Sequence, residues 1–158
     1  VNDEPVIASI PDVVIDEDSI FVLTLEITDI DTGEIFTLFP STNSSSVVVF
    51  SNNQDSSITV IPDENWHGNA SITIVVSDGE LFDSKTFQLI VEPVNDAPLI
   101  FDAQNQTILE DNVGLFSFEV SDIDTGSVLT LSALYDTNVL SLVAESENYT
   151  IQAYPSQD

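Results

Sequence analysis

Side-chain oxygens of Asp, Glu and Asn are the groups of this chain that could do chemistry, and they recur at matched positions. Asn2-Asp3 returns as Asn95-Asp96, Glu17-Asp18 as Glu110-Asp111, and Asp29-Ile30-Asp31-Thr32-Gly33 as Asp122-Ile123-Asp124-Thr125-Gly126, all at an offset of 93 residues. A hard divalent cation takes six to eight oxygen ligands in a flexible geometry, so such a site draws carboxylates and carbonyls from several loops rather than from one compact box. Asp-x-Asp-x-Gly is also ordinary turn chemistry, in which Asp bonds its own backbone and Gly supplies positive φ. Turn chemistry leaves the return of Glu17-Asp18 unexplained, and the matched acids therefore read as cation ligands.

Other chemistries fare worse. Asp31-Thr32-Gly33 and Asp124-Thr125-Gly126 spell the aspartic-protease triplet twice, but a proton shared between two carboxylates needs them about 3 Å apart. These two are repeat copies separated by a domain's length of chain. His67 is the only histidine and has neither a cysteine nor a nucleophile beside it, which makes loop packing the better reading. Trp66 reads as a lid over one end of a core. Asn43, Asn69, Asn105 and Asn148 each begin an Asn-x-Ser/Thr triplet, an acceptor pattern for glycans that chance supplies in a chain this rich in Asn, Ser and Thr.

The elements that must position the acids are strands. Phe21, Leu23, Leu25 and Ile27 alternate with more polar neighbours, which puts four apolar side chains on one face. The spacing predicts a first strand over Val6–Ile10 and Val13–Ile15 broken at Pro11-Asp12, short strands at Ile35–Phe39, Val47–Phe50 and Ile58–Ile61, and a hairpin of Ala70–Ser77 with Thr86–Val91 turning at Asp78-Gly79. About seven short strands per unit and no helical period give an all-β chain of tandem immunoglobulin-like Greek-key sandwiches. The repeat sets a first domain over residues 1–94. A second, truncated repeat over 95–158 lacks its last two strands, since nothing corresponds to Asn65 through Glu92.

Charge excludes whole classes of partner. With 28 Asp and Glu against one basic side chain, Lys85, the formal net charge is −27, which repels nucleic acid and anionic membrane. No apolar run is long enough to span a bilayer, so direct membrane insertion is not expected. Hydrophobic residues make up 42% of the chain and alternate regularly, which argues for packed cores rather than disorder. The carboxylates need counterions, either bound divalent metal or the high salt around a halophile's solvated surface. There is no cysteine, hence no disulfide or thiolate metal site. The absence of any methionine leads us to expect a piece of a longer or processed polypeptide.

The Val94-Asn95-Asp96-Ala97-Pro98 junction, Asp16-Glu17-Asp18, the Asp-x-Asp-x-Gly turns, Pro62-x-x-Asn65-Trp66-x-Gly68 and Val76-Ser77-Asp78-Gly79, in this order and largely twice over, resemble the bacterial cadherin-like tandem repeats of large surface proteins and adhesins. The resemblance covers the whole chain. It implies a calcium-binding sandwich strung head to tail in an extracellular, cell-surface stalk. By analogy with cadherin junctions, Glu17, Asp63 and the linker pair Asn95-Asp96 would be ligands from the first repeat and its linker, and Asp122 and Asp124 the pair offered by the next. Asn2, Asp3, Asp29, Asp31, Asp78 and Glu110 are the further candidates. The linker lacks the fuller acidic run of animal cadherins, which implies fewer ions per junction.

The expected role is a calcium-stiffened structural repeat and not an enzyme, with neighbouring repeats or identical chains as partners. Two alternatives stand beside it. One is a filament subunit whose incomplete sandwich is finished by a strand from another chain. The other is a module that binds cell-surface glycans or proteins, with Tyr135, Tyr149 and Tyr154 as the aromatics to inspect.

Overall fold

The computed structural model describes residues 1–33, 35–101, 104–109, 111–134, 136–137, 140–145 and 149–155, without the side chains of 141, 142 and 145. The chain forms two compact units, Val1–Val94 and Asn95–Asp158. Every regular element among the described residues is a strand.

In the first unit, β2 (Val13–Asp16), β9 (Phe82–Glu92), β8 (Gly68–Ser77) and β5 (Thr37–Thr42) form one sheet in that order. β3 (Phe21–Thr24), β7 (Ser57–Pro62) and β6 (Val47–Asn52) form the other. β1 (Val6–Ile7) pairs with β4 (Ile27–Thr28). Only the β2–β9 pair is parallel; the remaining ladders of the unit are antiparallel.

The core lies between the sheets, and alternation builds it. Along β8, Ala70, Ile72, Ile74 and Val76 are buried while the residues between them face outward. Register sets Ile72 opposite Phe87 and Ala70 opposite Leu89, and Ile58 and Val60 of β7 join the same buried cluster. Each such side chain contributes about 1.5–3 kcal/mol by leaving water. Trp66 packs against this cluster as a lid would. A Cβ at Gly68 would come within 3.1 Å of the Trp66 ring, and Gly68 has φ +148, so the backbone favours glycine there and the ring leaves little room for a side chain.

Several strand bounds differ from those the alternation predicts, β9 among them, which starts at Phe82 rather than Thr86. The first strand ends at Ile7, and Ala8–Asp12 carries the chain from one sheet to the other, held by Ala8 N to Glu26 O at 2.9 Å and by Gln88 N to Asp12 Oδ1 at 2.8 Å. The strand from Phe21 divides at Leu25, whose amide bonds Ser56 O at 2.8 Å, because its partner changes there from β7 to β1. β5 starts at Thr37 and runs through Pro40 to Thr42, which an edge strand tolerates.

The second unit repeats one sheet of the first. β11 (Gly114–Ser117), β14 (Thr150–Pro155) and β13 (Leu140–Glu145) stand at the offset of β3, β7 and β6, while β10 (Leu99–Phe101) pairs with β12 (Glu119–Ser121) as β1 does with β4. The backbone irregularities recur too: φ is 60 at Asp18 and 61 at Asp111, 53 at Ser56 and 47 at Tyr149. Phe118 N bonds Tyr149 O at 2.9 Å, as Leu25 bonds Ser56. Gly114 stands where the first unit has Phe21, and a Cβ there would lie 2.7 Å from Cζ of Phe116. The larger ring, in place of Leu23, fills the room that the smaller residue leaves.

Because Phe87 is buried at the centre of the first core, Phe87→Ala is expected to destabilise that unit by about 3–5 kcal/mol. Urea unfolding followed by Trp66 fluorescence measures this.

Candidate functional site

Five of the candidate ligands gather at one end of the first unit. Asp29 closes β4, and its Oδ1 accepts the amide of Asp31 at 2.9 Å. Asp31 Oδ2 in turn accepts the amide of Asp3 at 2.8 Å. Asn2 Nδ2 donates to Asp78 Oδ2 at 2.9 Å, and Asp78 Oδ1 accepts the amides of Glu80 and Leu81, both at 2.7 Å. The start of the chain is thereby clasped to the turn after β4 and to the turn between β8 and β9.

One oxygen in this clasp has no partner. Asp29 Oδ2 is buried and receives no hydrogen bond among the described residues. A carboxylate oxygen removed from water without a donor is costly, and a cation held among Asn2, Asp3, Asp29, Asp31 and Asp78 would satisfy it. The donor set, carboxylates with an amide, is that of a hard cation such as Ca2+ rather than of a thiolate or imidazole metal.

Glu17 stands at the other end of the first unit. Its side chain is buried, with Oε1 accepting the amide of Val94 at 2.6 Å. Its own amide bonds Glu92 O at 2.9 Å, so Glu17 fastens the last strand as it leaves the sandwich. His67 Nδ1 lies 3.4 Å from Glu17 Oε2. Asp18 Oδ1 accepts the amide of Asn65 at 2.8 Å. Asp63 begins the turn that carries Trp66, its amide on Ser46 O and its carbonyl accepting Trp66 N, with an exposed side chain.

In the second unit the aspartate part of the clasp returns. Asp96 N donates to Asp124 Oδ2 at 2.6 Å and Asp124 N to Asp122 Oδ1 at 2.9 Å, the counterparts of the Asp3–Asp31–Asp29 bonds. Asn95 Nδ2 bonds Asp96 O at 2.7 Å. Glu110 lies outside the described residues, as do Tyr135 and Asn148. Tyr149 is partly buried, and Tyr154 donates from its hydroxyl to Gln152 Oε1 at 2.6 Å.

Sequence reasoning passed over two residues that hold these ends. Asp18 was legible as one of the acids that return at the 93-residue offset, but not as the acceptor of the Asn65 amide, and its left-handed φ recurs at Asp111. Asp83 accepts the Ile7 amide at 2.9 Å and the Lys85 ammonium at 3.0 Å. Burial pushes the Asp83 carboxyl up, but the amide of Ile7, Lys85 and the amide of Ser84 together hold it below the ordinary range. That the one basic side chain sits two residues from an aspartate on the same strand was the available signal.

Two stacked β-sheets closing on alternating apolar residues, with acidic turns at the ends, define a tandem immunoglobulin-like β-sandwich. The chain belongs to the cadherin-like domain family, whose model matches residues 1–92. Domains of this family are structural, adhesion-type repeats, typically extracellular and typically calcium-binding. Among solved structures, the chain is similar to human protocadherin-24 EC1-2, with 20% identity, a TM-score of 0.50 and coverage of 100% of this chain and 80% of that one. A second crystal form of that protein gives 20% identity, a TM-score of 0.52 and coverage of 96% and 80%. At this identity the likeness shows the fold. An endo-fucoidan hydrolase of glycoside hydrolase family 107 matches at 18% identity and a TM-score of 0.46 over 96% of this chain. The chain spans about a quarter of that enzyme's length, 24%, and a likeness this distant says nothing of activity. No curated protein sequence matches the chain. Among the described residues, no helix is long and apolar enough to cross a membrane.

The Asp78 carboxyl is held below the ordinary aspartate value, first by the Leu81 amide, then by that of Glu80 and by the Asn2 side chain. A folded-state pKa below the unfolded one contributes stability above the ordinary aspartate range, and this is lost as pH falls through the lowered value. Acid should therefore loosen the clasp. Asp78→Asn is expected to flatten the decline of melting temperature below about pH 4, which a pH series of thermal melts checks.

Proposed function

We propose that this chain is a Ca2+-stiffened structural repeat of an extracellular cell-surface protein, part of a stalk that holds an adhesive tip away from the cell. The observation that carries the reading is the doubled clasp, Asp3–Asp31–Asp29 and Asp96–Asp124–Asp122, with a buried, partnerless carboxylate oxygen in the first copy. Family membership supports it, since cadherin-like domains typically bind calcium.

In this reading the ion at the junction is held by Glu17 and Asp63 of the first unit, by the linker residues Asn95 and Asp96, and by Asp122 and Asp124 of the second. Glu110 is the counterpart of Glu17 for the next junction, and Asn2, Asp3, Asp29, Asp31 and Asp78 form the corresponding cradle at the first unit's start. Glu17 already fastens Val94, one residue before the linker. Like charges about 4 Å apart repel by roughly 1 kcal/mol even in bulk water. A bound cation reverses the sign of that interaction and ties both ends of the linker to one centre. Pro93 and Pro98 restrict the linker backbone further.

An ion bound only by the folded state stabilises it by mass action, about 1.4–2.7 kcal/mol per site at ten to a hundred times Kd. Ca2+ is therefore expected to raise the melting temperature and EDTA to lower it at constant ionic strength. If NaCl stabilises as well as Ca2+ does and EDTA has no effect, the acids are a solvated surface and the reading fails.

A further inference from the structure

The sandwich of the first unit has two margins, and they are finished differently. Along β5 and β6 the edge is closed by side chains. Leu38 N donates to Asn53 Oδ1 at 3.0 Å and Ser51 Oγ to Leu38 O at 3.3 Å, and Pro40 within β5 has no amide to offer. Along the margin of β3 there is instead a cleft of about 300 Å3. Ile7 and Leu25, both buried, and the half-buried Ile10 and Leu23 line it, together with the exposed Ser9 and Glu26.

Backbone direction explains the cleft. The N–H and C=O groups of successive strand residues point to alternate sides. Leu25 N bonds Ser56 O on the β7 side, whereas Glu26 O accepts Ala8 N on the other. The groups of Val22 and Thr24 therefore point the same way as those of Glu26, to the side on which β3 has no neighbour in its sheet. Val6 stands opposite Thr28 and Ile7 opposite Ile27, a register that would set Ile10 against Thr24 and Asp12 against Val22 if the first strand ran on. It leaves instead, because Pro11 withholds an amide and Asp12 Oδ1 accepts Gln88 N of the other sheet at 2.8 Å. Two rungs of β3 are left facing an apolar cleft.

We infer that this cleft is a docking groove for an extended, basic segment of another polypeptide, which adds a short strand to the open edge of β3. Three features select that occupant. Unpaired N–H and C=O groups along a strand edge are matched by an extended main chain. The apolar lining receives the side chains that such a chain presents at every second position. Charge decides the rest: Glu26 lines the cleft, Asp12 follows Pro11 beside it, and Lys85, the one basic side chain, is held by Asp83. Lys or Arg at the alternate positions of the incoming segment meets those carboxylates. An acidic segment is repelled, and so is a second copy of this chain with its charge of −27.

Amide hydrogen exchange, read residue by residue by NMR on the 158-residue chain, is the test. EDTA and about 0.15 M NaCl keep Ca2+ out and screen long-range attraction. In the free chain the amides of Val22 and Thr24 should exchange fast, and those of Leu23 and Leu25, on the β7 side, slowly. The probe is the peptide Lys-Val-Lys-Val-Lys-Val. At saturation it should slow Val22 and Thr24 about tenfold or more and leave Leu23 and Leu25 as they were. The same peptide N-methylated throughout, which keeps the charge and loses the amides, should give no protection, and neither should Glu-Val-Glu-Val-Glu-Val. Ser9→Phe, which fills the cleft from an exposed position, should abolish the effect. Val22 and Thr24 amides that are already slow in the free chain, or that the probe leaves unprotected, overturn the inference. So does equal protection by the methylated or the acidic peptide, or protection undiminished in Ser9→Phe.

Discussion

Backbone amides, not basic side chains, hold the acids of this protein in place. With one lysine against 28 carboxylates, ion pairing cannot organise the surface, and Lys85 is already taken by Asp83. The acids instead accept N–H groups that strand ladders leave unused: Asp12 takes Gln88, Asp18 takes Asn65, Asp78 takes Glu80 and Leu81, and Glu17 takes Val94. Bonds to a charged acceptor are among the stronger ones available to a loop. They fix the turns, yet they remove no negative charge. A fold secured in this way keeps its anionic field at the places where its loops converge, and that field is what a cation would neutralise.

The sandwich decides where those places are. β8 and β9 are the longest strands, and with β7 they bury most of the core, so the loops are driven to the two ends. Asn2, Asp3, Asp29, Asp31 and Asp78 meet at one end; Glu17, Asp18 and the Asp63–His67 turn occupy the other. The core sets the ends apart, and the amide clasps set the oxygens within each. Packing and electrostatics therefore act on different residues, and substitutions in one should leave the other largely intact.

Much of this was legible in the sequence. Alternation alone yields the strands, and the 93-residue offset shows which acids return. Alternation fails where a strand changes partner: nothing in Phe21 to Ile27 announces that Leu25 will bond Ser56, because that bond depends on a residue about thirty positions away. It fails again at Ala8–Asp12, whose apolar residues fit a strand but which serve as a crossover. Spacing named Asp29 and Asp31 as a pair without showing that one oxygen of Asp29 would be buried and partnerless. Alternation also suggests one buried and one wet face for each sheet, whereas exposed Val22, Val48 and Phe50 on one sheet and Val14 and Phe39 on the other interrupt that pattern.

Small-angle X-ray scattering of the 158-residue chain, with Ca2+ and with EDTA at matched ionic strength and low protein concentration, tests the central claim most directly. The account predicts a longer and better defined maximum dimension with Ca2+, and an Asp122→Asn/Asp124→Asn variant that resembles the EDTA profile in both conditions. Identical profiles for the unmodified chain with and without Ca2+ would contradict it, leaving Pro93 and Pro98 to set the linker and the acids to serve solvation alone.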